Sequence, residues 1–183
     1  INGDKVEVFT TRPDTIFGVS FMVFAPEHPF IKKIWDKISN KKEVSNYIEK
    51  SKNKSDLERQ VEKEKTGVML KGVSANVPLL NKEIPIFIAD YVLMDYGTGV
   101  IMAVPAHDER DFKFAKKFGL NIMEVIKPED TSDDKYMKIG ETVYTGEGIM
   151  VNSGEYTGMK SEEFREKIIK ELEEKNLGKR SVS

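Results

Sequence analysis

Cysteine is absent from the 183 residues of this chain, and that absence removes several chemistries at once. No disulfide framework, no thiol nucleophile and no sulfur-based zinc site can be built. A reducing, cytoplasmic setting is expected. Histidine is scarce as well, with two residues. Long apolar runs are missing: none approaches the ~18 residues that would span a bilayer, so no membrane partner is expected. The N-terminus carries no basic segment leading into an apolar one, so no secretory leader is read there. An excess of one charge is also lacking. Lys and Arg number 29 against 31 Asp and Glu, for a net charge of −2. A broad basic footprint for gripping a nucleic-acid backbone is therefore excluded. Any contact with nucleic acid is local, with affinity supplied elsewhere.

What is present suits a globular domain with a real core: 39% hydrophobic and 33% charged residues. The chain opens on Ile1 and ends on Lys179–Ser183, and it reads as one domain, residues 1–183, cut from a larger protein. Lys5–Thr10 alternates like a strand, and Val19–Ala25 is a continuous apolar run. His28-Pro29 then opens a helix carrying Ile31, Ile34, Trp35 and Ile38. A Lys/Glu/Asn/Ser-rich stretch follows, with a weak helix around Val44, Tyr47 and Ile48. Ser55-Asp56-Leu57-Glu58 there has the form of a capping box. Residues 29–65 thus read as a solvated helical insertion. From Thr66 the texture turns to β, with short runs at Thr66–Leu70, Ile84–Ala89, Tyr91–Leu93, Gly99–Val104, Asn121–Ile126 and Gly148–Val151. Pro128–Asp134 is an acidic loop without EF-hand spacing. Met159–Leu177 is an amphipathic helix supported by Glu163–Lys167, Glu166–Lys170 and Glu171–Lys175, with Gly178 as its stop. Many short strands without βαβ alternation predict an α+β fold, a closed β-barrel core decorated by α-helices.

Two stretches carry the chemistry. The first, VFTTRPDTIFG over Val8–Gly18, packs Thr10, Thr11, Arg12, Asp14 and Thr15 into six residues after an apolar run. The second, YGTGVIMAVPAHDERD over Tyr96–Asp111, sets Gly97-Thr98-Gly99 at the mouth of a strand. Glycines there let a backbone approach a ligand, or simply make a turn. Pro105 ends the strand. Asp108 caps a helix containing Phe112, Ala115 and Phe118, closed by Gly119. Asp111 either supports that cap and the helix dipole or presents a carboxylate to an ammonium group on a ligand. His107-Asp108 is reminiscent of metal phosphohydrolases, but too few histidines accompany it; His107 is a loop residue or lines a site.

TTRPDTIFG, then FMVFAPEHP, YGTGVIMAVPAHDERDFKFA and GEGIMVNSGEYTG, in that order, resemble the editing domain of bacterial-type leucyl-tRNA synthetases, over about residues 6–158. The resemblance implies post-transfer editing: hydrolysis of the ester of norvaline, isoleucine or methionine on leucine tRNA, sparing the leucyl ester. A pocket alone separates side chains that differ by one methylene by only ~1–3 kcal/mol, so a second sieve is needed.

By the same resemblance, Thr15 crowds leucine's branched γ-carbon, and Thr10 and Thr11 lie near the scissile ester. Asp111 binds the α-ammonium. Met102 and Val104 line the amino-acid pocket; Tyr96 and Thr98 lie at its rim. His107 and Asp108 are further binding candidates. Arg12 either pairs with Asp14 or Asp108 or meets the terminal adenosine. No metal or other cofactor is expected for editing; ATP and magnesium belong to the parent's synthetic site. The expected partners are the 3′ CCA end of the tRNA with its aminoacyl ester and the rest of the synthetase, the isolated domain being a monomer. The alternative is a hydrolytically weak module that only grips aminoacyl-tRNA.

Overall fold

The computed structural model describes residues 3–130 and 141–181. Part of the acidic loop, residues 131–134, and the last two residues of the C-terminal stretch lie outside them. The chain divides into two compact units. One comprises the described residues of Ile1–Thr10, Ser20–Val77 and Asn81–Ala103; the other those of Thr11–Val19, Pro78–Leu80 and Val104–Ser183.

The first unit is a mixed four-stranded sheet with helices inserted between its strands. Strand β1 spans Phe21–Phe24. Three helices follow: α1, Phe30–Lys33; α2, Lys41–Lys52; and α3, Asp56–Val61. Strands β2 (Val68–Val77), β3 (Lys82–Ile88) and β4 (Val100–Ala103) complete it. Their order is β2-β3-β1-β4. β1 runs parallel to β3 and antiparallel to β4, with Met22 opposite both Ile86 and Met102. The central strands are the apolar ones, as expected for strands covered on both faces. Phe21, Val23, Phe24, Ile86 and Ile88 are fully buried, while edge strand β2 alternates between buried and exposed residues.

The expected closed barrel is not found among the described residues: the sheet is open, ending at β2 and β4. Lys5–Thr10 is not a strand either. It lies along β4 through Phe9, whose N–H donates to the Val100 carbonyl at 3.1 Å. Tyr91–Leu93 is a turn rather than a strand, both Tyr91 and Val92 being buried. The helix read from His28-Pro29 is a single turn starting at Phe30, and the His28 ring accepts the Phe30 N–H at 3.1 Å. A 3-10 turn, Trp35–Lys37, carries on from it.

The helical stretch is not wholly a solvated face. The capping box of α3 forms, with Ser55 and Glu58 exchanging bonds. That helix turns Arg59 inward, where the side chain is buried. Its guanidinium donates to the carbonyls of Asp90 (2.7 Å) and Val92 (2.9 Å) and to the Glu27 carboxylate (3.1 Å). Lys54 ties Glu62 and Asp90 together at 2.6 and 2.9 Å. The lysine-rich region is thereby fastened to the turn after β3.

The second unit holds α4 (Glu109–Phe118), the short antiparallel pair β5 (Ile126–Lys127) and β6 (Ile149–Met150), and α5 (Ser161–Glu174). Asp108 caps α4 as expected, accepting from the Arg110 and Asp111 N–H groups, and Gly119 closes it in the left-handed region. α5 buries Phe164 and Ile168 against Val125, Ile126, Met150 and Tyr156. Its left-handed residue is Asn176 (φ 52°) rather than Gly178, whose N–H instead reaches back to the Leu172 carbonyl. Of the three expected helix pairs, Glu171–Lys175 is an ion pair at 2.6 Å, whereas Glu166 meets Arg180 and Lys167 lies over the Tyr156 ring.

Arg59→Met is expected to cost about 3 kcal/mol, because it strands two buried carbonyls and an acidic partner. Urea unfolding of the chain checks this; a loss under about 1 kcal/mol would show that the guanidinium is not the fastening.

Candidate functional site

The threonine-rich stretch becomes a 3-10 turn, Pro13–Gly18, in the second unit. Pro13 starts it with a preset φ. Ile16 and Phe17 pack on the Tyr156/Phe164/Ile168 cluster and hold it down. Gly18 completes it at close quarters: a Cβ there would lie 3.0 Å from Val104 Cγ1 and 3.1 Å from Val125 Cγ2. The turn therefore lies directly against Val104.

Asp14 lies inside this turn with 0% exposure. Its carboxylate accepts from Arg12 Nε (3.1 Å) and Nη2 (2.9 Å), and from Arg165 Nε (3.4 Å) and Nη2 (3.2 Å). Burial alone would raise its pKa, but the two guanidiniums outweigh burial and hold it below the usual carboxylate range. Of the two candidate partners for Arg12, then, Asp14 is an observed one. Arg12 also donates to the carbonyls of Thr145 (2.9 Å) and Gly146 (3.4 Å).

Thr15 is 2% exposed. Its N–H (3.1 Å) and its hydroxyl (2.8 Å) both donate to the Arg12 carbonyl. A hydroxyl bonded in that way selects one χ1 rotamer, and the Cγ2 methyl is then fixed in direction. Thr11, in contrast, is exposed.

Asp111 stands in the first turn of α4 at 3% exposure. Its N–H is taken by Asp108, and its Oδ2 accepts the Val104 N–H at 3.0 Å. One carboxylate thus orients the backbone beside the turn while standing at a helix N-terminus, where negative charge is favoured. Asp108 pairs with Arg110 at 3.2 Å.

His107 is buried (7% exposed). Its Nε2 accepts the N–H groups of Val125 (2.9 Å) and Ile126 (3.2 Å), which leaves the proton on Nδ1, donated to the Tyr144 carbonyl at 2.7 Å. The ring is neutral, and both nitrogens are committed to backbone. This explains why Asn121–Ile126 is not the expected strand: donors that would face a neighbouring strand face an imidazole, and only Ile126–Lys127 pairs, with β6. Tyr144 N–H in turn donates to Ala106 at 3.1 Å. His107, Arg12 and Arg165 together hold the strap Tyr144–Glu147, Arg165 through the Glu147 carboxylate.

The remaining candidates belong to the first unit. Thr10 is half-buried, as is Met102 on β4. Tyr96 is 52% exposed and meets Phe9 edge-to-face, with centroids 5.3 Å apart. Thr98 donates to the Val100 carbonyl at 3.3 Å, and its own carbonyl meets His28 Nε2 at 3.1 Å. Gly97 (φ 61°) needs no ligand to explain it, since a Cβ there would fall 2.4 Å from Phe9. Among the described residues, no three metal-ligating side chains converge.

Arg165, Glu147 and Tyr144 were not legible as site residues. Arg165 lies 151 positions from Asp14, on a helix read only as amphipathic with supporting charge pairs. The signal nearest to them was the glycine pair flanking Glu147.

The chain matches the family model for "Leucyl-tRNA synthetase, editing domain" over residues 1–173. It is 49% identical to the leucine–tRNA ligase of Alkaliphilus oremlandii over 182 residues, covering 99% of this chain and 22% of that protein. It is 50% identical to the leucine–tRNA ligase of Thermotoga maritima over 179 residues, covering 97% and 21%. The chain thus spans about a fifth of the length of these curated relatives. Among solved structures it is similar to a ternary complex of Agrobacterium radiobacter K84 agnB2 LeuRS with tRNA and LeuAMS, at a TM-score of 0.70 and 30% identity, covering 98% of this chain and 18% of that one.

Burial pushes the His107 pKa below its ordinary 6.5; the Tyr144 carbonyl opposes this, Arg12 adds to it and Asp14 opposes it. A depressed folded pKa contributes stability that is complete above about 6.5 and is lost as pH falls from there through the folded value. His28 is depressed in the same sense by burial, so a His28→Gln chain isolates His107. Its thermal midpoint is expected to fall between about pH 7.5 and about pH 5.5. A flat profile would mean that His107 is not held neutral.

Proposed function

This chain belongs to the leucyl-tRNA synthetase editing-domain family, and on that footing we propose that it hydrolyses the ester of a mischarged amino acid on leucine tRNA. Norvaline, isoleucine and methionine are the acids removed, and leucine is refused. The observation that carries this reading is the rigidity of Thr15: a buried threonine with its hydroxyl bonded to the Arg12 carbonyl holds its methyl as a fixed wall. A fixed wall excludes a branched γ-carbon and tolerates an unbranched one, which is a sieve by steric exclusion.

Asp111 supplies the charge that receives the α-ammonium. Its bond from Val104 orients the carboxylate before substrate arrives, and a charge-assisted contact then anchors the amino acid. Thr10 and Thr11 offer hydroxyls at the ester. Water attacks the ester carbonyl carbon, and the hydroxyls position that water and stabilise the oxyanion that forms. The bond from the carbonyl carbon to the ribose oxygen breaks. That oxygen takes up a proton, and the amino acid leaves as its carboxylate. The substrate's own ribose hydroxyl assists. Val104 supplies apolar lining, and Arg12 shapes the turn through Asp14. His107 and Asp108 act from behind, one on the strap and one on the α4 cap. The partner is the single-stranded 3′ end of the tRNA, read by its ribose hydroxyls and base, with the rest of the synthetase supplying most of the affinity.

In the full-length synthetase, Thr15→Ala is expected to raise hydrolysis of leucyl-tRNA by about 10- to 100-fold, the range one methyl-sized contact can discriminate. Single-turnover deacylation measures it, and intact leucyl-tRNA would remove Thr15 from the sieve. Asp111→Asn keeps an oxygen for the Val104 N–H but loses the charge. Isoleucyl-tRNA deacylation is expected to fall about 100-fold, the equivalent of about 3 kcal/mol for a charged hydrogen bond, with little change in melting temperature. A large stability loss with normal deacylation would make Asp111 a structural residue only.

A further inference from the structure

We propose that Arg165, on the C-terminal helix, is a positioning residue of the amino-acid sieve, acting on Thr15 through the buried carboxylate of Asp14. The inference rests on the reading of Thr15 as the leucine-excluding wall.

Thr15 owes its place to two neighbours in the turn. The Arg12 carbonyl takes both of its donors, and Asp14 precedes it in the chain. Arg12 ties the turn to the strap through the Thr145 and Gly146 carbonyls, but its grip on Asp14 comes from two residues away and links the turn to no helix. Arg165 is different. It comes from α5, and its neighbour Phe164 is fully buried in the core of the same unit. Its Nη2 lies 3.2 Å from Asp14 Oδ2 and also reaches the Glu147 carboxylate, whose other oxygen accepts the Ser161 hydroxyl. The same guanidinium therefore ties the turn, the strap Tyr144–Glu147 and the start of α5 to one another.

A buried carboxylate that loses one of two guanidiniums reorients toward the other or draws in water. Either response moves the turn, and with it the Thr15 methyl. A sieve that works by contact at the scale of one methyl group is sensitive to such a shift: one methylene accounts for roughly 10- to 200-fold in discrimination. A planar fork that grips two carboxylates is not replaceable by a point charge of the same sign. Arg165 contacts the turn through the Asp14 carboxylate and is assigned no contact with the substrate.

The test uses the full-length synthetase and two substrates, leucyl-tRNA and isoleucyl-tRNA, in single-turnover deacylation. The readout is the ratio of the two rates. In Arg165→Gln the ratio is expected to shift toward leucine by about tenfold, and Arg165→Lys, which keeps the charge and loses the fork, is expected to fall between it and the parent. Asp14→Asn removes the charge through which Arg165 acts, so Arg165→Gln added to it is expected to produce little further shift in the ratio. A purely structural role would lower both rates together and leave the ratio at the parental value, which overturns the inference. Should Arg165→Gln fold too poorly to assay, the ratio in Arg165→Lys decides alone, a parental value overturning the inference. Thr15→Ala is run alongside. If it admits leucine and both Arg165 variants do not, only this inference fails; if it leaves leucyl-tRNA intact, the reading of Thr15 fails and takes this one with it.

Discussion

The carboxylate of Asp14 is the constraint around which the second unit is arranged. It is fully buried and accepts from two guanidiniums, one within its own turn and one from α5. Taking a carboxylate out of water costs several kcal/mol after relaxation, and only well-formed charge-assisted bonds offset it. With Glu147, the cluster holds two positive and two negative groups, so it is neutral as a whole. Burial would raise both acids; the two arginines bring Asp14 below its ordinary value, and the Ser161 hydroxyl together with the arginines does the same for Glu147. Each member belongs to a different piece of chain or a different end of it. Satisfying one charge therefore fixes the turn Pro13–Gly18, the strap Tyr144–Glu147 and the start of α5 together.

His107 does for the backbone what Asp14 does for the charges. One neutral ring accepts two N–H groups and donates to a carbonyl. Buried backbone donors must find partners, and here they find an imidazole where a sheet would have offered a strand. The consequence is irregular backbone from Asn121 to Val125, tied to the strap that Arg12 holds from the other side. Two different interactions thus converge on Tyr144–Gly146.

Much of the local structure was legible because it depends on neighbours in the chain. The capping box at Ser55, the cap at Asp108 with Gly119, and the apolar strands at Phe21 and Ile86 all follow from short-range rules. The barrel did not. Whether strands close depends on pairing between distant edges, and β2 and β4 have no periodic signature that says whether they meet. Lys5–Thr10 failed for a related reason: alternation says nothing of whether a backbone joins a ladder, and this one meets β4 through the Phe9 N–H. The candidate site was half legible. Thr15, Asp111 and Val104 stand in dense motifs, and the structure links the last two directly. Arg165 and Glu147 stand in ordinary amphipathic and glycine-rich context, and what makes them important is a partner far along the chain.

A wall for one methyl group can be held by apolar packing or by charge. Packing is non-directional, and a core that loses a little volume relaxes by sliding. A guanidinium fork is directional: it fixes the plane and the position of the carboxylate it grips. Here the apolar contacts of Ile16 and Phe17 supply the hold, while Arg12 and Arg165 supply the orientation. The hydroxyl of Thr15 adds a last directional bond within the turn. A buried salt bridge is a weak source of stability, and in this turn its contribution is geometric. Thr15 is stiff about χ1, but a stiff side chain on a loose backbone excludes nothing. The selectivity proposed for this domain therefore depends as much on the carboxylate beside Thr15 as on the threonine itself.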